Sequence, residues 1–301
     1  MDNTVHDAQR LKELQALPLD RKIQITQNRI QEWYMHYNGN VYVSFSGGKD
    51  STVLATLAKQ IFPDIPLVFS NTGLEYSAIQ KFAKSMGATM IYPSMQFNQV
   101  VSTYGYPIIS KEVAEAIYYA RRIRNNSDKL EKEAYNRQQE LLGLRVDNKH
   151  SDIPSVPVPS KWADFPRRCL QHFDNPEDNE IFKNPNGEKS IYNKEKWLPA
   201  ALELPFAISH YCCSVMKKGP MKKYGRDTKS KPIIGTLADE SRIRKQAWIR
   251  HGCNAFESKS PSSQPMSFWT EQDVLTFIKE SNIKIADVYG DICLDDKKNL
   301  L

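Results

Sequence analysis

The stretch Val41–Leu57, VYVSFSGGKDSTVLATL, constrains this chain more than any other. An alternating apolar run rich in β-branched and aromatic residues passes through two adjacent glycines into a helical pattern, which predicts strand, turn and helix. Gly47 and Gly48 admit positive φ and close backbone approach, so successive N–H groups can point at one anion. Lys49 adds a cation, and Ser46 and Ser51 add hydroxyls. Ser51 is also placed to cap the helix, whose N-terminus contributes its partial positive charge. The product is a pocket for phosphate or sulfate, with Leu54 and Leu57 on the helix face that packs on the sheet. A Gly-Gly turn with a solvated Lys-Asp pair is the plainer explanation, but the string SGGKDS between strand and helix is far more specific than a glycine pair. It fits neither a Walker loop nor the spaced glycines of a dinucleotide fingerprint.

The following segments repeat the strand-and-helix alternation. Pro66–Ser70 reads as a second strand, Tyr76–Met86 as a helix, Ala88–Tyr92 as a third strand and Lys231–Thr236 as a further strand running into a loop. This order predicts an α/β fold, a parallel twisted sheet with helices on both faces, whose ligands sit at the C-terminal ends of the strands. Asp7–Tyr37 reads as one or two helices broken at Pro18, with Asp20 as cap of the second. Thr270 with Asp273 signals another capped helix, carrying Val274, Leu275, Phe277 and Ile278 on its apolar face. The domain expectation is an N-terminal helical extension over 1–38, a nucleotide-binding domain over 39–260 and a C-terminal helical segment over 261–301 that packs on it. Prolines and Asn-Pro pairs mark an insertion at about 145–195.

Charge and cysteine content bound the partners. The 41 basic and 35 acidic residues give +6 and a pI near 8.9, which suits anionic ligands and leaves nucleic acid open. Arg121, Arg122 and Arg124 form a basic cluster on a helical stretch whose Val113, Ile117 and Tyr118 share one side; a solvated helix face competes with an RNA or DNA contact. The N-terminal MDNTVHDAQRLKELQ lacks the apolar centre of a signal peptide, and no apolar run approaches the roughly 18 residues of a membrane span, so a cytoplasmic chain is expected. Five cysteines, an odd number spread thinly, do not form a secreted disulfide framework. In HYCCSVMKKGPMKKY, Cys212 and Cys213 stand among four lysines that favour the thiolate, the form that binds metal or attacks.

SGGKDS resembles the pyrophosphatase loop of the adenine-nucleotide alpha-hydrolase superfamily, which includes the N-type ATP pyrophosphatases and the phosphoadenosine-phosphosulfate (PAPS) reductases. Four further strings resemble the PAPS reductase-like branch in the same order: NTGLEY with Thr72, Gly73 and Glu75; Cys212-Cys213 followed by basic residues and Pro220; GTLADESRIR with Glu240, Ser241 and Arg244; and the tryptophan-threonine, aspartate-valine segment around Trp269. The resemblance covers roughly residues 40–290. It implies an enzyme that binds ATP or PAPS on Ser46, Gly47, Gly48, Lys49, Asp50 and Ser51, with Thr72 and Gly73 nearby and Glu240, Ser241 and Arg244 at a distal anion subsite. Lys49, Asp50, Cys212 and Cys213 are its candidate catalytic residues, and Asp50 a candidate for placing Mg2+. The reaction would be sulfonucleotide reduction or ATP-dependent sulfur transfer, with a thiol reductant or sulfur donor as partner and an oligomer left open. A nucleic-acid sulfurtransferase of the phosphorothioation type and a non-catalytic nucleotide-binding regulator are the alternatives.

Two departures stand against a simple transfer of activity. The family's Glu-Cys-Gly-x-x-His string is absent, and so is the Cys-x-x-Cys that follows Cys-Cys in cluster-bearing members. The sequence stops where related ones often continue into a cysteine-rich tail, which implies a shortened chain or a different chemistry. Cys169, Cys212, Cys213, Cys253 and Cys293 are the candidate ligands of an iron-sulfur cluster, with His210 or His251 as substitutes in a zinc site. Buried free cysteines are the plainer reading.

Overall fold

A computed structural model describes residues 6–108, 110–124, 204–295 and 300. These residues fall into two compact units, one drawn from 1–92 and 221–301, the other from 93–220. The first unit holds the sheet. Its elements are α1 (Ala8–Gln15), α2 (Leu19–His36), β1 (Val41–Phe45), α3 (Lys49–Ile61), β2 (Leu67–Ser70), α4 (Ser77–Ser85) and β3 (Thr89–Ile91). After the second unit come β4 (Lys231–Ile234), a 3-10 turn (Ala238–Glu240), a helix (Arg242–His251), β5 (Asn254–Ala255), β6 (Ser262–Ser263), a helix (Glu271–Glu280) and a 3-10 turn (Asp287–Tyr289). The second unit contributes α5 (Phe97–Tyr104) and α6 (Lys111–Arg124); the helix Gly219–Asp227 that follows it is α7, so Arg242–His251 is α8 and Glu271–Glu280 is α9.

The strand order is β3-β2-β1-β4-β6-β5. All neighbours run parallel except the β5–β6 pair, a short antiparallel hairpin that the sequence reading did not anticipate. Val43 on β1 aligns with Leu67 on one side and Ile233 on the other. The chain leaves β1 toward β2 and β3 and later returns to β1's opposite edge with β4. This reversal makes the C-terminal end of β1 a switch point of the sheet, where such folds open a crevice for ligands.

Burial explains why these residues make these elements. Val41, Val43 and Phe45 on one face of β1 and Tyr42 on the other are all buried, as a central parallel strand requires. Leu54 and Leu57 are fully buried, as expected, but so are Val53, Ala55 and Ala58, so α3 is enclosed nearly all round. Ile30 and Trp33 of α2 and Trp269, Val274 and Ile278 of the α9 region join the same core. Pro18 precedes α2, and Asp20 lies in its first turn rather than capping it; Asp7 caps α1 instead, accepting from the Arg10 N–H at 2.7 Å. The second unit has its own core, in which Val113, Ile117 and Tyr118 of α6 meet Val100, Tyr104, Ile208 and Tyr211. Among the described residues no helix is long and apolar enough to cross a membrane.

Candidate functional site

The loop after β1 is shaped by its own hydroxyls. Ser46 N–H donates to Ser51 Oγ at 3.2 Å, the two serine oxygens are 3.0 Å apart, and Ser51 Oγ donates to the Gly48 carbonyl at 3.0 Å. Gly48 N–H in turn reaches Ser46 Oγ at 3.3 Å. Ser51 therefore does not cap the helix: Gly48 occupies the cap position without a side-chain bond, and Ser51 ties the loop from inside the first turn. The reason is geometric, because a hydroxyl three residues into the helix faces back onto the cap carbonyl. The N–H groups of Lys49, Asp50 and Ser51 open the helix, where position alone leaves them without intrahelical acceptors.

The two glycines face different constraints. Gly47 has φ +72°, and a Cβ there would stand 2.8 Å from Ile79 Cγ2. Gly48 has an ordinary φ of −80°, but a Cβ would stand 3.3 Å from Ser46 Oγ and 3.5 Å from the Tyr289 hydroxyl. A third glycine, Gly235 after β4, was not singled out from sequence; its Cβ would lie 3.0 Å from the Asp50 carbonyl. That close approach brings the loop after β4 against the first turn of α3.

Charged side chains converge there. Lys49 Nζ lies 3.1 Å from Glu271 Oε1 of α9. Arg244 is ion-paired with Glu240, and Ser241 caps α8 by accepting from the Arg244 N–H at 3.3 Å. Burial pushes the half-buried Asp50 carboxyl up; Lys49 pulls it down, Glu271 pushes it up and Arg244 pulls it down. Lys49, Asp50, Arg244 and Glu271 thus lie within electrostatic reach of one another. Glu271 was missed in the sequence reading because the WTEQDV segment looked purely structural. That segment is structural as well: Trp269 Nε1 donates to Thr26 Oγ1 at 2.9 Å, and the buried Lys22 pairs with Asp273 at 2.6 Å.

Thr72 and Gly73 lie in the turn that follows β2, the strand next to β1 in the sheet. Glu75 accepts from the Thr72 N–H at 3.0 Å and from its hydroxyl at 2.8 Å, while Gly73, at φ +78°, donates its N–H to Asn71 Oδ1. Glu75 therefore braces the NTG turn.

The cysteines behave differently from one another. Cys212 and Cys213 of the second unit open a helical segment whose next turn, Ser214–Lys218, is wound as a π-helix. The hydrogen bond from Cys212 pulls the exposed Cys213 thiol down to about 6; partial burial opposes this, and Lys111, Lys217 and Lys218 reinforce it. Cys212 is held well above the usual thiol range, first by that same bond and then by burial. Lys111 comes from α6 and could not be assigned from the local string. Cys253 is buried, which pushes its thiol up to about 11, and Cys293 is exposed. Cys169 lies outside the described residues. Among the described residues no group of three or more His, Cys, Asp or Glu side chains is arranged to hold a metal ion. The expected cluster or zinc site therefore finds no ligand set there: His251 is exposed on α8, and His210 packs against the Tyr118 and Tyr211 rings. Asp50 likewise belongs to no such carboxylate group for Mg2+.

The basic patch on α6 is partly structural. Arg121 donates to the carbonyls of Leu204 and Phe206 at 2.7 and 2.6 Å, which fastens α6 to the following chain. The side chains of Arg122 and Arg124 lie outside the described residues.

A parallel sheet with a glycine loop at its switch point and two further loops on adjoining strand ends defines an α/β protein of the adenine-nucleotide alpha-hydrolase type. The chain belongs to the family of the phosphoadenosine phosphosulfate reductase domain, whose model matches residues 40–156 and 171–293, well over half of its length. Over 77 residues it is 32% identical to an uncharacterized protein of Methanocaldococcus jannaschii, a match that takes in 24% of this chain and 19% of that protein. The chain thus spans about a fifth of the length of the curated relative it matches. The family is generally enzymatic and binds adenine nucleotides of the PAPS or ATP type.

Proposed function

We infer that this protein is an enzyme that binds PAPS or ATP through Ser46–Ser51, with the phosphate or phosphosulfate end on the loop and Arg244 on the distal anion. One observation carries the reading: the loops after β1 and β4 meet at the switch point, where Gly235 lets them touch and Lys49, Asp50 and Arg244 share one electrostatic field. An arginine can hold a phosphate or sulfate by two parallel donors, and lysine adds a point charge. Preorganised donors of this kind stabilise a phosphate leaving group without reorganisation during reaction.

Sulfonucleotide reduction is the reaction that the family membership and the thiols favour. Cys213, exposed and shifted toward thiolate, is the thiol suited to nucleophilic attack; Cys253 and Cys212 are shifted the other way. In that reaction a cysteine thiolate attacks the sulfate sulfur of PAPS, breaking the sulfur–oxygen bond to the nucleotide phosphate, so that adenosine 3′,5′-bisphosphate leaves and a cysteine S-sulfonate is formed. A second thiol would then attack the cysteine sulfur, expelling sulfite and forming a disulfide, which an external thiol reductant reduces back to the two thiols. ATP-dependent sulfur transfer uses the same loop with pyrophosphate as leaving group.

Titration calorimetry with PAPS, ATP and adenosine tests the binding step. Micromolar or tighter binding of a phosphorylated nucleotide, with adenosine much weaker, is expected. Equal affinity for adenosine and the nucleotides would sink the assignment of the loop. Sulfite formed from PAPS with a thiol reductant, and lost in Cys213→Ser, then selects reduction.

A further inference from the structure

In the phosphate loop itself, Lys49 is already engaged. Its ammonium is 3.1 Å from Glu271, a residue far along the sequence and 70% exposed, whereas Lys49 is 26% exposed. Arg244, on α8 after the β4 loop, is paired with Glu240. Lys49 and Arg244 are thus each met by a carboxylate, and an anion arriving at the loop meets a lysine whose charge is already engaged. An acidic residue in the first turn of a helix is common, because the helix N-terminus favours it. What distinguishes Glu271 is its support and its reach.

The backbone that carries Glu271 is tied down by its neighbours. Thr270 caps α9, with its N–H donating to Asp273 Oδ2 at 2.7 Å and its hydroxyl donating to the same oxygen at 2.8 Å. Asp273 is held by the buried Lys22, and Trp269, fully buried, is fastened to Thr26. Trp269 and Asp273, two residues to either side of Glu271, are thus tied to α2 through Thr26 and Lys22.

We propose that Glu271 is an intramolecular competitor at the phosphate loop: its carboxylate occupies the Lys49 ammonium, and a ligand phosphate must displace it. This rests on the loop's reading as a phosphate site. It assigns a second duty to the α9 start, in which the tryptophan-threonine platform carries the counterion of the loop lysine. Because the pair is exposed, the competition is modest. Its removal should tighten phosphate binding about two- to fivefold, the size expected for a surface ion pair. A purely structural role would have the opposite sign, since loosening the helix start would weaken the site.

The test uses the full chain and inorganic pyrophosphate as probe, at low ionic strength, by titration calorimetry. Glu271→Gln should bind pyrophosphate more tightly than wild type, with an unchanged melting profile. Glu271→Ser, which keeps a residue suited to a helix start but removes the charge, should reproduce the gain even if the glutamine variant folds poorly. Unchanged or weaker binding in the folded variants, with wild-type binding intact, overturns this inference alone. A wild-type protein that binds neither pyrophosphate nor nucleotide overturns it together with the loop reading.

Discussion

The phosphate loop and the cysteine pair occupy different units and show two ways of preparing a side chain for chemistry. At the loop, preparation is local and rigid: a positive-φ glycine, two serines bonded to each other and a helix N-terminus all come from six consecutive residues. At Cys213, preparation is electrostatic, arising from a neighbouring thiol and from lysines on two helical segments, one of them α6. The first arrangement resists change of shape and the second resists change of charge. A six-residue string can encode the first, whereas the second exists only once the unit has folded.

The largest expected effect breaks the loop. Gly47→Ala must place a side chain at φ +72° and within 2.8 Å of Ile79 Cγ2, so it should destabilise the protein by about 1–3 kcal/mol in chemical denaturation. Gly48→Ala has no backbone penalty and should leave stability within about 0.5 kcal/mol, while narrowing the space beside Ser46 and Tyr289 and weakening pyrophosphate binding. Equal stability loss in both variants would contradict the distinct roles given to the two glycines.

The next effect concerns reactivity. Cys213 should be alkylated by iodoacetamide with a midpoint near pH 6, because its thiolate is favoured, and the rate should fall as pH drops through that value. Cys253, buried and shifted to about 11, should react at neutral pH only after unfolding. Peptide mapping of the labelled protein separates the two; a Cys213 midpoint at the ordinary thiol value would remove the electrostatic half of the comparison. Smaller still is the contribution of Lys111. Lys111→Met should shift the Cys213 midpoint upward without altering pyrophosphate affinity, and an unchanged midpoint would show that the α6 lysine does not act on the thiol.

The strand-turn-helix at Val41–Leu57 and the Thr270 cap were legible because each depends on neighbours in sequence. The strand-to-turn passage at Thr72–Gly73 was legible too, whereas the Glu75 carboxylate that accepts from the Thr72 N–H and hydroxyl shows only in the folded chain. Ser51 was misread as a cap because its type and rough position fit, while the direction of its hydroxyl depends on where the helix begins. Glu271, Gly235 and Lys111 were invisible for one physical reason: each acts on a group far away in sequence. The β5–β6 hairpin, two residues per strand, is too short to show any periodicity. The scattered cysteines suggested a shared ligand set, yet the described ones differ widely in burial and in thiol character.

The central claim is that the anion end of an adenine nucleotide rests on the SGGKDS loop. Lys49→Ala, compared with wild type by calorimetric titration of PAPS and ATP, tests it most directly. Loss of a charge-assisted contact to phosphate predicts affinity lower by at least about tenfold with folding intact; nucleotide affinity equal to that of wild type would contradict the account.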